Sequence, residues 1–265
     1  MTAMETNRSK SSPVTVIVQA RMTSTRLPGK VLLPLAGKPV LWHVVKRAAA
    51  ADQIDTVVVA TSREPSDEPI AVWCSENGVN CYRGPIDDVL ERFHQAAAQF
   101  GAQHIVRITA DCPLLDPSIL NKLIEYYFQQ PFNYCSLSGE FPDGLDCEVF
   151  TFEALQKARD YAKLPSEREH VTPYIYNHLA EFKIGHIAPF RGLAHHRWTL
   201  DRPEDYVFLQ EVFDNLYPAD PHFNSESVLA LLKERPELAA INSHIIRNEG
   251  YARSLAEDLA FTNPS

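Results

Sequence analysis

The sequence predicts an α/β protein in which a mostly parallel sheet carries helices on both faces. Strand-like and helix-like segments alternate along the first 130 residues, and the strand-like ones are continuous apolar or β-branched runs such as "DTVVVAT". Such runs are typical of strands buried on both faces of a parallel sheet. Strands are expected at 14–19, 55–61, 79–84 and 102–110, and helices at 40–51, 67–78, 87–101 and 116–130. Regular alternation of this kind favours a parallel sheet with crossover helices.

Local signals mark the ends of the predicted helices. The second and third helices end at glycines, Gly78 and Gly101, a residue that is common just after a helix C-terminus. Acidic residues occupy the first turn of the third helix, where they interact favourably with the helix dipole. Asp116 is placed to cap the fourth helix, and Pro117 follows at its first position.

The alternation ends near residue 130. The remaining segments predict strands at 147–152, 181–189 and 195–200, and helices at 166–179, 203–217 and 225–238. We interpret residues 13–240 as one domain with a small irregular elaboration at 134–195 that serves substrate or subunit contacts. Residues 1–12 are expected to form a disordered lead-in, and residues 241–265 a loose C-terminal tail.

Composition restricts the class of protein. The chain has 265 residues and a net charge of −9, which disfavours binding to nucleic acid because that binding depends on many Lys and Arg contacts with phosphates. A small anionic ligand needs only a few cations. The five cysteines include no CxxC pair, so a disulfide framework and a zinc site are not expected. A polar N-terminus and the lack of an apolar run of about 18 residues predict a cytoplasmic protein without a membrane span.

The stretch "QARMTSTRLPGK", here called the cationic loop (residues 19–30), follows the first strand and contains Arg21, Arg26 and Lys30. Gly29 and the small hydroxyl residues allow the backbone to approach an anion closely, and turn amides can bind its oxygens. Arginine offers a planar pair of donors to phosphate, and lysine a compact charge. The loop fits neither GxGxxG nor the P-loop pattern, so it predicts a phosphate-binding loop of another kind. A solvated basic turn is the alternative.

Asp111 and Asp201 each follow an apolar strand-like run and precede a proline by two positions, in "ITADCP" and "WTLDRP". Ligands of open α/β sheets bind outside the carboxyl ends of the strands, where these two carboxylates can meet. Two carboxylates can hold a magnesium ion that keeps several waters and binds substrate phosphates. The alternative is that both residues cap the helices that follow.

Two later stretches contain candidate substrate-binding residues. In "FPDGLDCEVF", Asp143, Asp146 and Glu148 surround a glycine turn, and the last two are expected on one strand face, where they could accept hydrogen bonds from sugar hydroxyls. A solvated strand face is the alternative. In "SEREHVTPY", Arg168 and His170 would point in different directions from a helix, so not all of these side chains can face one site.

The run "VIVQARMTSTRLPGKVLLPLAGKPVL" resembles the N-terminal signature of the CMP-sugar synthetases, the cytidylyltransferases that activate 3-deoxy-manno-octulosonate and acylneuraminates. Together with "FPDGLDCEVF", "EREHVTPYIY" and "RWTLDRPEDY", it is most similar to the SpsF branch, named for spore coat polysaccharide biosynthesis. The similarity extends over residues 14–217. It implies a Rossmann-like, GT-A-like nucleotidyltransferase fold, with CTP and Mg²⁺ as ligands and a homodimer as the assembly.

The resemblance also implies roles for individual residues. The residues that would bind the nucleotide are Gln19, Ala20, Arg21, Arg26, Lys30, Thr61, Ser62 and Arg83. Asp111 and Asp201 match the metal-binding carboxylates, and His170 lies where octulosonate enzymes carry a sugar-contacting histidine. One departure is that "ADCP" replaces a Gly-Asp-Glu-Pro type turn, so the second acidic residue is absent. This departure weakens the transfer of octulosonate specificity to the chain.

The predicted reaction is transfer of CMP from CTP to a sugar acid, with Arg21, Lys30 and Asp111 as catalytic residues and pyrophosphate as the leaving group. The acceptor would be a 2-keto-3-deoxy acid used in surface polysaccharide or glycan biosynthesis. Three alternatives stay open: a nucleotidyltransferase for a phosphonate or polyol phosphate, a nucleotide-sugar glycosyltransferase, and a nucleotide-binding subunit without turnover. The glycosyltransferase is disfavoured because "DGLDCE" is not a clean DxD metal motif.

Overall fold

The computed structural model describes residues 13–247 and 249–263. Its main sheet contains β1 Val14–Gln19, β4 Thr56–Ser62, β5 Asn80–Gly84, β6 His104–Thr109, β7 Tyr134–Leu137, β8 Glu148–Thr151 and β9 Ile184–Ile187. The strand order is β5-β4-β1-β6-β8-β7-β9. All neighbouring pairs are parallel except the two that involve β8, which runs antiparallel to β6 and β7. This is the mostly parallel sheet that the sequence predicts.

Helices cover both faces of the sheet. They are α1 Val40–Ala49, α2 Glu68–Glu76, α3 Val89–Gln99, α4 Pro117–Phe128, α5 Phe152–Tyr161, α6 Pro165–His170, α7 Pro173–Asn177, α8 Pro203–Leu216, α9 Ser225–Glu234, α10 Pro236–Ala240 and α11 Glu249–Thr262. A short hairpin of β2 Pro34–Leu35 and β3 Lys38–Pro39 follows the cationic loop. No helix among the described residues is long and apolar enough to cross a membrane.

Successive residues of β1 point to opposite faces of the sheet and pack in two separate cores. Val16 and Val18 belong to a core that includes residues of α1, α2, α4, α8 and α9, whereas Ile17 belongs to a core that includes residues of α3, α5 and α7. All three side chains are fully buried. Because both faces of the strand are covered, its sequence is continuously apolar instead of alternating.

The elements predicted for the first 130 residues are present, with ends shifted by a few positions. Asp116 caps α4, since its carboxylate accepts a hydrogen bond from the backbone N–H of Ser118 at 2.9 Å, and Pro117 is the first helical residue. Prolines divide two of the later predicted helices. Pro173 begins α7 and Pro236 begins α10. The backbone N–H at the first position of a helix has no partner within the helix, so proline, which lacks this group, fits there.

The strand predicted at 195–200 is absent. Arg197 makes an isolated bridge to Asp143, and the backbone N–H groups of Trp198 and Leu200 donate to the carbonyls of Asp143 and Asp111 at 2.6 and 2.8 Å. These acceptors lie in loops, so the segment has no strand beside which it could extend a ladder. It instead lies against the loops that carry Asp143 and Asp111, and Asp201 follows it directly.

The C-terminal region also differs from the prediction, because residues 249–262 form α11 instead of a loose tail. Ser254 and Asp258 on this helix are buried. The carboxylate of Asp258 accepts hydrogen bonds from the backbone N–H and the hydroxyl of Ser166 in α6, at 2.9 and 2.5 Å. Residues 1–12, which the sequence predicts to be disordered, lie outside the described residues.

Candidate functional site

A cavity of about 800 Å³ opens at the carboxyl ends of β1 and β6. Its walls come from the cationic loop, the turn after β6, and segments near residues 143–148, 169–176, 197–201 and 246–257. Because parallel strands end at the same edge of a sheet, segments that are distant in sequence meet there. The predicted site residues that line the cavity are Gln19, Ala20, Arg21, Arg26, Lys30, Asp111, Asp143, Asp146, Glu148, His170 and Asp201.

Hydrogen bonds fold the cationic loop into a compact turn. The N–H of Gly29 donates to the carbonyl of Met22 at 2.9 Å, and Gly29 has a φ of 72°, which glycine adopts without steric penalty. The buried carboxylate of Asp67 accepts hydrogen bonds from the N–H of Met22 at 2.7 Å and the hydroxyl of Ser62 at 2.5 Å. Asp67 therefore attaches the loop to the end of β4, a role that sequence reasoning missed.

Lys30 lies between the two aspartates that were predicted to bind metal. Its Nζ is 2.5 Å from Asp111 Oδ2 and 2.6 Å from Asp201 Oδ1. Burial opposes the charged lysine, but the two carboxylates outweigh it and raise the pKa of Lys30. Burial also opposes ionisation of Asp201, but Lys30, Arg26 and Arg197 lower its pKa to about 2. Lys30 and Asp201 are therefore both charged at neutral pH.

The alternative helix-capping role of these two aspartates is wrong. Asp116, not Asp111, caps α4. At the start of α8 the carboxylate of Asp205 accepts hydrogen bonds from the backbone N–H groups of Asp201 and Arg202, both at 2.9 Å. The side chains of Asp111 and Asp201 therefore cap no helix, and both residues line the cavity.

Arg197 connects three carboxylates at the edge of the cavity. Its Nε donates to Asp205 at 2.8 Å, and its two terminal nitrogens donate to Asp143 at 3.0 Å and to Asp201 at 3.3 Å. These carboxylates keep Arg197 charged although it is buried, and they raise its pKa. Burial raises the pKa of Asp143 to about 6. Arg197 was not singled out from the sequence, because only the fold brings Asp143, 54 positions away, next to it.

Three residues predicted to bind nucleotide do not line the cavity. The side chains of Thr61 and Ser62 are buried at the end of β4, and Arg83 donates to the carbonyl of Ser62 at 3.0 Å. Ser62 and Arg83 hold the segment after β4 in place, because the hydroxyl of Ser62 accepts from the N–H of Glu64 at 3.1 Å and Arg83 donates to the carbonyl of Glu64 at 3.2 Å. Among the described residues that line the cavity, three have a buried polar side-chain atom that forms no hydrogen bond: Gln19 Oε1, Arg92 Nε and Arg107 Nε. Leaving such atoms unpaired is costly, so they are the atoms expected to bind a polar ligand.

Glu148 is occupied by protein partners. It accepts hydrogen bonds from the hydroxyls of Tyr134 at 2.6 Å and Thr172 at 2.9 Å, and it forms an ion pair with Arg107 at 2.9 Å. It therefore positions Arg107 and Thr172, which also line the cavity. Asp146 does not share a strand face with Glu148, because β8 begins only at Glu148 and Asp146 is an exposed residue of the loop before it.

Of the two candidates near residue 170, one lines the cavity and the other does not. His170 Nε2 lies 2.9 Å from the hydroxyl of Ser254 in α11, and burial lowers the pKa of His170. Arg168 forms an ion pair with Asp88 and donates to the carbonyl of Arg159 at 2.9 Å, so its guanidinium is used in joining α6 to neighbouring elements.

Sequence reasoning also missed α11 as a wall of the cavity. Glu249, Arg253 and Glu257, spaced four positions apart, face the cavity from this helix. The carboxylate of Glu249 contacts Arg26 at 3.2 Å and Arg202 at 2.8 Å. The recurrence of charged residues at every fourth position was the available signal, but a solvated helix face shows the same pattern.

The described residues contain no group of three or more His, Cys, Asp or Glu side chains that could hold a metal ion. Asp111 and Asp201 remain as a pair of oxygen donors that share one cationic neighbour, Lys30. A metal held there would therefore need further ligands from water or a bound molecule.

Known proteins resemble this chain in sequence and in fold. A family model described as "Cytidylyltransferase" matches residues 15–235. The spore coat polysaccharide biosynthesis protein SpsF of Bacillus subtilis is 34% identical over 230 residues, 84% of this chain and 95% of that protein. A 3-deoxy-manno-octulosonate cytidylyltransferase of Geobacter sulfurreducens is 34% identical over 125 residues, 44% of this chain and 46% of that protein. The solved structure of a cytidylyltransferase from Leptospira borgpetersenii has a TM-score of 0.82 and 31% identity, and covers 89% of this chain and 100% of its own.

Proposed function

Because the chain belongs to the cytidylyltransferase family and is a nucleotidyltransferase, we propose that it transfers CMP from CTP to a hydroxyl group of a sugar acid. The acceptor hydroxyl releases its proton to water as its oxygen forms a bond to the α-phosphorus of CTP, the bond from that phosphorus to the bridging oxygen breaks, and pyrophosphate leaves. The observation that carries this proposal is the convergence of Lys30, Asp111 and Asp201 beside the cationic loop in one cavity.

The cationic loop is proposed to bind the triphosphate. Arg21 lines the cavity, and no described residue pairs with its guanidinium, so its donors are available to phosphate oxygens. Arg26 and Lys30 now pair with carboxylates and would exchange part of these contacts for phosphate. In the reaction Arg21 and Lys30 stabilise the charge that develops on the departing pyrophosphate.

Gln19 and Arg92 are proposed to contact the base. Cytosine offers an amino donor and a carbonyl acceptor on its ring. The unpaired Gln19 Oε1 can accept from the amino group, and the unpaired Arg92 Nε can donate to the carbonyl. This assignment replaces the one that used Thr61, Ser62 and Arg83.

Asp111 and Asp201 are proposed to hold Mg²⁺. The donor set fits, because both carboxylates converge on one cation position and Mg²⁺ is commonly bound by one or two carboxylates plus substrate phosphates. The cavity lining contains more carboxylates than cationic side chains, so a triphosphate alone would not be neutralised there. Bound Mg²⁺ would supply that neutralisation. Cys112, in the position of the missing acid, is not a ligand in this scheme, because burial raises the pKa of its thiol well above the usual value.

The acceptor class is proposed from the named relatives and from the hydroxyl-binding groups of the cavity. The Geobacter relative is named for 3-deoxy-manno-octulosonate and the Bacillus relative for spore coat polysaccharide. Glu169, His170 and Tyr176 provide acceptors and donors for hydroxyl groups.

The homodimer and the cytoplasmic location stay predictions. Light scattering checks the homodimer. The five cysteines are all free, which is compatible with a cytoplasmic location.

The experiment measures pyrophosphate release in the presence of Mg²⁺. Each of the four ribonucleoside triphosphates is combined with a panel of 2-keto-3-deoxy sugar acids and, separately, with polyol phosphates and phosphonates. Asp111→Asn is expected to lower turnover by about 10²–10³. Asp214→Asn is the matched control, because Asp214 is exposed on α8 and does not line the cavity.

Release with CTP and a sugar acid, lost in Asp111→Asn and kept in Asp214→Asn, supports the proposal. Release only with a phosphate or phosphonate acceptor would replace the acceptor class. CTP binding without release under any condition would instead favour a nucleotide-binding subunit without turnover.

A further inference from the structure

Helix α11 lies beyond residue 235, where the match to the cytidylyltransferase family model ends. Glu249, Gly250, Arg253 and Glu257 nevertheless line the cavity from this helix. Their spacing of three and four positions places them on one face, because an α-helix turns once in about 3.6 residues. One wall of the cavity thus comes from a part of the chain outside the matched region.

Hydrogen bonds hold α11 in a defined register against α6. The buried hydroxyl of Ser254 donates to Glu169 Oε2 at 2.7 Å and lies 2.9 Å from His170 Nε2. One turn further along, Asp258 accepts two hydrogen bonds from Ser166. With the register defined at two successive turns, the residues on the cavity-facing side have defined positions too.

Arg253 differs from most cationic side chains of the cavity. No described residue provides it with an ion pair or a hydrogen bond, and it is exposed to the cavity. Carboxylates already pair with the cations Arg26, Lys30, Arg107 and Arg197. Arg21 also lacks such a partner but belongs to the cationic loop. Among the described residues, Arg253 is therefore the unpaired cation of the cavity that has no proposed role in binding the triphosphate.

The position of Arg253 along α11 places it near the groups expected to contact the acceptor. It lies one turn, about 6 Å of helix rise, past Glu249, which contacts Arg26 of the cationic loop. Its neighbour Ser254 contacts Glu169 and His170. Arg253 is thus displaced from the cationic loop toward the α6 side of the cavity.

We propose that α11 is an acceptor-binding element and that Arg253 binds the carboxylate of the acceptor. This inference rests on the proposed function. A guanidinium presents two parallel donors that match the two oxygens of a carboxylate. The hydroxyl of Tyr251 accepts from Tyr176 at 3.1 Å, so its own hydrogen remains available for a sugar oxygen. Glu257 adds acceptors for sugar hydroxyls on the same face.

The test compares Arg253→Ala and Arg253→Lys with wild type. Arg191→Ala is the matched control, because Arg191 is an exposed arginine outside the cavity for which no described residue is a partner. The probes are 3-deoxy-manno-octulosonate and N-acetylneuraminate, each as the acid and as its carboxamide, with CTP and Mg²⁺. Steady-state kinetics give KM for acceptor and for CTP, and equilibrium titration gives acid binding to the CTP-loaded protein.

Arg253→Ala is expected to raise the KM for the acid about tenfold to hundredfold, with the KM for CTP nearly unchanged. In wild type the KM for the carboxamide should exceed the KM for the acid. In Arg253→Ala the ratio of these two KM values should fall toward one. Arg253→Lys should give an intermediate value, because it keeps the charge and loses the planar pair of donors. Arg191→Ala should match wild type in every parameter.

An unchanged acid KM and an unchanged preference for acid over carboxamide in Arg253→Ala would overturn the inference. An effect on the KM for CTP alone would also overturn it and assign Arg253 to the triphosphate. If wild type turns over neither acid, the titration still decides this inference, whereas the panel of acceptors described above decides the proposed function. Weaker acid binding in Arg253→Ala then supports the inference, and equal or absent binding overturns it.

Discussion

The ammonium of Lys30 lies 2.6 Å from a carboxylate oxygen of Asp201, although 171 positions separate the two residues in the sequence. The same ammonium lies 2.5 Å from Asp111. An ammonium and a metal ion cannot occupy the same point between two carboxylates. Metal binding at this pair therefore requires Lys30 to move, and the phosphates of a nucleotide would provide its new anionic partner. The geometry thus couples metal binding to nucleotide binding.

Replacing Lys30 tests this coupling. In Lys30→Met the two carboxylates lose their shared cation, so Mn²⁺ should bind the nucleotide-free protein about tenfold more tightly than it binds wild type. Turnover should fall by about 10²–10³, because the charge on the leaving group loses its stabilisation. Electron paramagnetic resonance of Mn²⁺ measures the affinity. Lys38→Met is the control, because Lys38 is an exposed lysine on β3. Equal Mn²⁺ affinities of both variants and wild type would contradict competition between Lys30 and the metal.

The sequence was informative where local chemistry determines structure. The apolar runs of β1 and β4 and the Asp116–Pro117 start of α4 are local signals, and the corresponding elements are present. Strand β7 and helix α5 were not predicted, since β7 has four residues and α5 follows β8 without a connecting loop. Segment 195–200 has an alternating apolar pattern, but its neighbours in the fold are loops, which no pattern within the segment reveals.

Asp201→Asn is expected to destabilise the protein in a pH-dependent manner. The folded pKa of Asp201, about 2, lies below its ordinary value of 3.8. The ionised carboxylate therefore contributes stability above pH 4 that is lost as the pH falls through 2. The variant should lose roughly 2 kcal/mol at pH 7, and its difference from wild type should shrink between pH 4 and pH 2. Urea unfolding at several pH values measures this, with Asp214→Asn as control; a constant difference would refute the ion-pair origin.

Gly144 allows the 143–148 loop to approach the backbone before Asp201. A Cβ on Gly144 would lie 2.7 Å from both the nitrogen of Thr199 and the carbonyl carbon of Trp198, and its φ is 101°. Gly144→Ala should therefore cost about 2–3 kcal/mol of unfolding free energy and displace Asp143 from Arg197. Gly192→Ala is the matched control, because Gly192 has a φ of 71° but a Cβ added there would meet nothing within 4 Å.

The comparison of the two glycine variants separates backbone strain from steric contact. Gly192→Ala should cost only about 1 kcal/mol, the penalty for a left-handed backbone at a residue with a side chain. Thermal or chemical unfolding of both variants gives the difference. If Gly144→Ala costs no more than Gly192→Ala, the close approach is not important for stability.

The site was predictable to the extent that its residues follow strand ends. The cationic loop, Asp111 and Asp201 were identifiable because each comes after an apolar run, and the fold brings them together. Arg197 and Asp67 could not be recognised, because their importance depends on partners at distant positions. Thr61 and Ser62, which were predicted to bind nucleotide, are the last two residues of β4, and their buried side chains do not line the cavity.

Glu249 connects α11 to the cationic loop and to the start of α8. Its carboxylate contacts Arg26 at 3.2 Å and Arg202 at 2.8 Å, whereas no described residue pairs with Glu257, two turns further along the helix. Glu249→Gln removes the charge that holds both contacts, so the amide hydrogens of residues 249–262 should exchange with solvent roughly two- to fivefold faster.

Hydrogen–deuterium exchange with mass spectrometry measures this rate, and Glu257→Gln is the matched control on the same helix. The effect of Glu249→Gln should diminish in high salt, because the ion pairs at this exposed position are already screened there. Equal exchange in the two variants at low salt would mean that α11 is held by its contacts with α6 alone. In that case Arg26 is free to turn toward phosphate without any consequence for the helix that carries Arg253.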